Sequence, residues 1–175
     1  HGIYDHNGKI KALEGIIWNV TERKEMEEQL QRSLEKLHKT ILCTIYAMAK
    51  IMETRDPYTA DHQKRVAHLA CNIAKELGVL EEKIMGLHMA SVVHDIGKIY
   101  IPAEILTKPG KLSNVEYDII KTHVQVSYDI LKTIEFPWPI ADIVYQHHER
   151  ENSTGYPLGL SGDEILPEAK ILAVA

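Results

Sequence analysis

Cysteine is scarce in this chain: there are two, Cys43 and Cys71, and no CxxC spacing. That excludes a disulfide scaffold and a multi-cysteine zinc site, and fits buried thiols in a reducing compartment. A basic balance is also missing, since the formal net charge is −5. A surface for nucleic-acid polymers would be basic, so an anionic substrate needs local help from metals or a few lysines. No long hydrophobic run occurs. The longest apolar stretch, residues 41–49, is too short to span a bilayer, and no signal peptide is visible. A cytoplasmic location without membrane contact by these residues is the expectation. Residue 1 is His rather than Met, and Ala175 lies inside a helical pattern, so the chain reads as part of a longer protein whose anchor could lie elsewhere. Aromatics reach only 6%. Aliphatic residues and alanine dominate instead, which favours helices.

What is present is a normal core complement, with 45% hydrophobic residues in a chain of 175. That is enough for one ordinary domain and a smaller piece. Residues 1–20 read as a pair of short strands around the turn Asp5-His6-Asn7-Gly8, with Gly15 interrupting the second. Thr21 opens a helix whose first turns are acidic, as the helix dipole favours. From Leu30 to Ile51 the apolar positions step by four and three: Leu30, Leu34, Leu37, Ile41, Thr44, Met48, Ile51. This is a heptad seam with one polar member, of the kind that pairs two parallel helices, with its later turns also entering the downstream core. The alternative is a long amphipathic helix packed on its own domain. Asp56-Pro57 ends that helix. The rest reads as helices over residues 59–77, 81–96 and from the capping box Ser113/Glu116 onward. A further helix follows Trp138-Pro139 and ends at His147-His148, and a last one starts at Pro167 or Glu168. The segments are thus 1–20, 21–55 and 56–175.

Chemistry is concentrated in histidines. His62, His94-Asp95, His123 and His147-His148 fall in separate segments, whereas His1, His6, His38, His68 and His88 read as surface or structural. Neutral imidazoles with a carboxylate are the usual ligands of intermediate transition metals. Two adjacent cations can make a water nucleophilic toward a phosphoester. Neighbouring helix residues point about 100° apart, so His-Asp and His-His pairs serve one centre only near helix ends. Gly97 and the polar stretch 149–155 put both pairs there. Spacing alone leaves a metal site and scattered structural histidines equally open, because no pair shows the compact i,i+4 pattern.

The segments HDIGKIYIP, ILTKPGKLSNVEYDIIKTH and HHERENSTGYPLGL, with DPYTADHQKRV upstream, closely resemble the HD-GYP branch of the HD phosphohydrolase superfamily over about 120 residues. The resemblance implies an all-α fold, an HD-type helical bundle preceded by a long helix and a short β-hairpin. It implies hydrolysis of cyclic di-GMP, a bacterial second messenger, at a centre of two divalent transition-metal ions, with iron or manganese expected. The ligands carried over are His62, His94, Asp95, His123, His147 and His148, with Asp95 as the bridge. Lys98 would neutralise a phosphate oxygen as charge builds. Gly155 and Tyr156 would shape the substrate side. Lys108 and Lys111 are further candidate phosphate contacts, weighed against a plain solvated loop. Residues Asn19-Val20-Thr21-Glu22-Arg23-Lys24 resemble the end of a PAS sensor domain, where a last strand runs into a signalling helix.

The chain departs from the family's pattern in several places. Tyr58 stands where three-metal members carry Glu, which implies two metals. Asp61 replaces Gly, Ser127 stands where Gly is common, and Asn152-Ser153-Thr154 replaces D-G-S; at the PAS-like junction Asn19 replaces the usual Asp. The family's next carboxylate ligand follows the Ala173-Val174-Ala175 position, so these 175 residues alone are expected to bind metal incompletely. The expected function is a sensor-regulated, metal-dependent phosphodiesterase opening cyclic di-GMP to pGpG or GMP, dimeric through the Leu30 to Ile51 helix. Diguanylate cyclase proteins are candidate partners. The alternatives are a receptor that binds a cyclic dinucleotide or a protein without turnover, and the same chemistry on another nucleotide, since fold does not fix substrate.

Overall fold

The computed structural model describes residues 2–13, 20–55 and 62–175. Gly15, Asn19, the break at Asp56-Pro57, the expected helix start at residue 59, Tyr58 and Asp61 lie outside the described residues. Two short antiparallel strands, β1 (Gly2–Tyr4) and β2 (Ile10–Leu13), flank the turn at Asp5. The Asp5 carboxylate closes that turn by accepting the N–H groups of Asn7 and Lys9. The remainder is helical: α1 (Thr21–Arg55), α2 (His62–Glu76), α3 (Glu81–Val93), a 3-10 turn (Ile96–Tyr100), α4 (Ala103–Leu106), α5 (Asn114–Leu131), α6 (Ile140–Gln146) and α7 (Pro167–Val174). No described helix is long and apolar enough to cross a membrane.

The chain divides into two compact units, His1–Thr40 and Ile41–Ala175. The division falls within α1, where the packing changes. Leu30, Leu34 and Leu37 of the first unit are exposed, whereas Ile45 and Ala49 of the second join the core with Val66, Ala70 and Val93. The later turns of α1 therefore carry two apolar stripes. One faces the core through Ile45, Ala49 and Met52; the other, Ile41, Met48 and Ile51, stays exposed.

In the second unit α3 is the central element. Gly86, Leu87, Met89, Ala90, Ser91, Val92 and Val93 are all buried, as expected of a helix apolar on every side. It packs on α2 and α6, and α7 closes against α2 and α6. Trp138 lies so close over Gly86 that a Cβ there would meet its Cγ at 2.6 Å. Fully burying a side chain such as Leu87 contributes about 2–3 kcal/mol. The helix expected through residue 96 ends at Val93 instead, and a tighter turn begins at Ile96. That early stop lifts His94 and Asp95 out of the helix. The Ser113/Glu116 capping box forms as expected at the start of α5.

Candidate metal centre

His62 is the first residue of α2. His94 and Asp95 fill the step between α3 and the 3-10 turn. His123 projects from the middle of α5, and His147 and His148 follow the last residue of α6. The step after α3 lies directly on α5 because residue 97 is glycine. A Cβ there would strike the His123 carbonyl oxygen and come within 2.7 Å of the Ser127 nitrogen. Ser127 fastens the contact: its hydroxyl accepts the Gly97 N–H at 2.8 Å and donates to the His94 carbonyl at 3.1 Å.

The imidazoles converge. Ring centres are 6.0 Å apart for His62 and His94, 5.2 Å for His94 and His147, 5.6 Å for His123 and His147, and 5.3 Å for His123 and His148. Two triads result, His62/His94/Asp95 and His123/His147/His148, each with ligand atoms within 4.8 Å of one another. Asp95 touches both: Oδ2 is 3.3 Å from His94 Nε2, and Oδ1 is 3.5 Å from His123 Nε2.

The tautomers follow from the outer contacts. Nδ1 of His94, His123 and His147 lies 2.7, 2.6 and 2.5 Å from the carbonyl oxygens of Ser91, Ile120 and Val144. A carbonyl can only accept, so each Nδ1 carries the proton and donates. In the neutral ring the Nε2 lone pair then points inward. Nε2 of His123 and of His147 is buried with no hydrogen-bond partner. Inward lone pairs facing a carboxylate, in a buried site, are acceptors facing acceptors. A cation between them resolves the conflict, and the donor set fits a divalent transition metal.

For His62, His123, His147 and His148 the charge states agree with that fit, and His94 is the exception. Burial, then the neighbouring His94 and His148, pushes His147 well below the ordinary imidazole value. Burial, then His123, pushes His148 down to about 4. His123 and His62 are lowered too, chiefly by burial. Burial also works against charge on His94 and Asp95. Their mutual attraction outweighs it, so His94 moves up and Asp95 falls well below the usual carboxylate range.

Beside His123 and His148 opens a cleft of about 570 Å³, lined among others by Lys98, Tyr117, Lys121, Arg150, Gly155 and Tyr156. Lys98 reaches the Asp95 carboxylate, with Nζ 2.8 Å from Oδ2. The Tyr156 ring stacks on His148 at 4.7 Å, and Lys121 lies 4.7 Å from the Tyr117 ring and 5.7 Å from that of Tyr156. Lys108 is not brought to this cleft, because both oxygens of Glu116 hold its Nζ at 2.7 Å. Lys111 is exposed on the same segment and does not line the cleft. Lys121, Tyr117 and Arg150 do line it and were missed in the sequence. The signal for the first two was their i,i+4 spacing on the helix of His123.

The family model described as HD domain matches residues 46–175. Cyclic di-GMP phosphodiesterase response regulator RpfG of Xanthomonas campestris is 38% identical over 152 residues, covering 86% of this chain and 40% of the relative. A cyclic di-GMP phosphodiesterase of Thermotoga maritima is 41% identical over 127 residues, covering 71% of this chain and 34% of the relative. 3'3'-cGAMP-specific phosphodiesterase 1 of Vibrio cholerae is 37% identical over 135 residues, covering 77% and 31%. The chain therefore spans well under half the length of these relatives. Among solved structures, Bd1817, a HDG"Y"P protein from Bdellovibrio bacteriovorus, is similar with a TM-score of 0.57 and 25% identity, over 64% of this chain and 37% of that one. With the family model covering most of the second unit and both histidine pairs, the chain belongs to the HD domain family.

Proposed function

We propose that this chain carries the catalytic centre of a phosphodiesterase acting on cyclic di-GMP. The observation that carries the reading is the buried, partnerless Nε2 of His123 and of His147, aimed at the same space as the Asp95 carboxylate. The two triads, His62/His94/Asp95 and His123/His147/His148, would hold two divalent cations, with iron or manganese the expected metals. When bound, these ions supply a nucleophilic water and neutralise phosphate charge.

The chain's own residues do the rest. Lys98 offsets charge on the phosphate in the transition state and, through its contact with Asp95, keeps that carboxylate ionised. Lys121 and Arg150 give the cleft a positive lining in a chain of net charge −5. Tyr156 and Gly155 shape its substrate side, Tyr156 stacked on His148. In the reaction, water oxygen bonds to phosphorus and the P–O3' bond breaks. The 3'-hydroxyl leaves carrying a proton, giving linear pGpG, and a second round gives GMP.

The exposed seam of Leu30, Leu34, Leu37, Ile41, Met48 and Ile51 supports a homodimer through α1. Through it a PAS-type sensor upstream modulates turnover in the cytoplasm. Diguanylate cyclase proteins remain the proposed protein partners. Relatives named for 3'3'-cGAMP make that dinucleotide the competing substrate. The test is to incubate metal-loaded protein with each dinucleotide separately and resolve the products by chromatography. Preferential conversion of cyclic di-GMP to pGpG is expected. Preferential cGAMP cleavage would reassign the substrate, and binding without any product would make this a receptor.

A further inference from the structure

Glu149 follows the histidine pair and is 3% exposed, yet it belongs to neither triad. Its carboxylate serves a different segment. Oε1 accepts the N–H groups of Leu158 at 2.6 Å and Gly159 at 3.2 Å, and Oε2 accepts that of Leu160 at 2.9 Å. Both oxygens are engaged with backbone nine to eleven residues downstream. A buried carboxylate without such partners would be costly, so loop and carboxylate are committed to each other.

The same loop returns onto the histidine pair. Gly155 lies against the backbone of His148, Glu149 and Arg150, where a Cβ would come within 2.6 Å of the His148 carbonyl oxygen. The next N–H, of Tyr156, donates to that carbonyl at 3.2 Å. The Tyr156 ring then stacks on the His148 imidazole at 4.7 Å, tilted by 23°.

This matters because His148 lacks what its neighbours have. His94, His123 and His147 are each oriented by an Nδ1–H bond to a backbone carbonyl. Among the described residues no such bond orients His148. Its ring meets those of His147 at 4.0 Å and His123 at 5.3 Å, and the contact from outside the ligand set is the stack with Tyr156. We propose that Glu149 is a positioning residue: it fastens the 155–160 loop so that Tyr156 orients the His148 imidazole for the cation it shares with His123 and His147. This rests on the metal-centre reading above, and partners outside the ligand set often matter nearly as much as the ligands.

The test compares the full chain with Glu149→Gln, Tyr156→Ala and Tyr156→Phe. In metal-free protein, Glu149→Gln speeds amide exchange at Leu158, Gly159 and Leu160 at least about tenfold and removes the Tyr156 ring-current shift from the His148 side chain. In a Mn²⁺ titration followed by electron paramagnetic resonance, one site weakens by about 10–100-fold while the other keeps its affinity. Tyr156→Ala reproduces the effects on His148 and on that site with the loop amides still protected, and Tyr156→Phe behaves as wild type. Unchanged exchange and ring shift in Glu149→Gln would overturn the proposal. So would equal weakening of both sites together with a lowered melting temperature, which marks a merely structural role. Wild-type protein that takes up no Mn²⁺ would remove the metal-centre reading, while the ring shift in metal-free protein still decides whether Glu149 positions His148.

Discussion

Replacing Ser127 by alanine removes a single oxygen that joins α5 to the His94-Asp95 step. Ser127 is fully buried, and its hydroxyl both accepts from Gly97 and donates to the His94 carbonyl. In Ser127→Ala the Gly97 N–H loses its acceptor where no water replaces it. An unsatisfied buried donor costs about 1–3 kcal/mol. The His94 carbonyl loses one of two acceptor positions, which is the lesser loss. The sum is about 2 kcal/mol, and for a chain of this length that lowers the melting temperature by about 4–8 °C. Ser127→Gly suffers the same loss and about 1 kcal/mol more for glycine inside a helix. Because the lost bonds set the distance between Asp95 and His123, metal affinity falls by about tenfold as well. Thermal melts of metal-free protein and calorimetric Mn²⁺ titrations read both effects. Ser127→Ala with an unchanged midpoint and unchanged affinity would refute the reasoning that this hydroxyl sets the approach of α5.

Gly97→Ala drives a methyl group into the His123 carbonyl and the Ser127 backbone; it should cost about 3 kcal/mol and abolish metal uptake, seen by thermal melt and metal analysis. Stability of the metal-free protein should rise with pH between about 4 and 7: His148 falls from 6.5 to about 4 on folding, so over that window the unfolded chain binds the extra proton, worth up to about 3 kcal/mol. His147, His123 and His62 act in the same direction and His94 opposes them; melting midpoints that are flat or fall with pH would contradict this. Leu34→Glu with Leu37→Glu, both on the exposed seam of α1, should convert a dimer to monomers in light scattering, each leucine giving up about 1.5–3 kcal/mol of burial.

Local signals carried far into the structure. The Ser113/Glu116 spacing marks a capping box that forms, and Gly97 marks a break that puts His94 and Asp95 between elements. The seam on α1 is visible as periodicity. Entry of its later turns into the downstream core is expected too, but that Ile45, Ala49 and Met52, each one residue past a seam position, are the residues that do so is not, because both stripes share one helix pattern. What stayed hidden depends on long reach. Glu149 bonds to a loop that must fold back before its role exists, and a glutamate after two histidines carries no mark of it. Lys108 reads as a candidate phosphate contact or a plain solvated loop lysine; only the turn between α4 and α5 brings it to Glu116, the residue that already caps α5. Lys121 and Arg150 sit inside the quoted segments with no role read for them there, and they enter the site because α5 and the segment after α6 meet at His123 and His148.

The account stands on a paired cation centre formed by His62, His94 and Asp95 with His123, His147 and His148. The most direct measurement is metal content of anaerobically purified protein together with cyclic di-GMP hydrolysis, with His94→Ala/Asp95→Ala as the control. The account predicts bound iron or manganese, short of full occupancy in these 175 residues alone, and loss of both metal and turnover in the control. Wild-type protein without metal, or turnover that survives in the control, would contradict it.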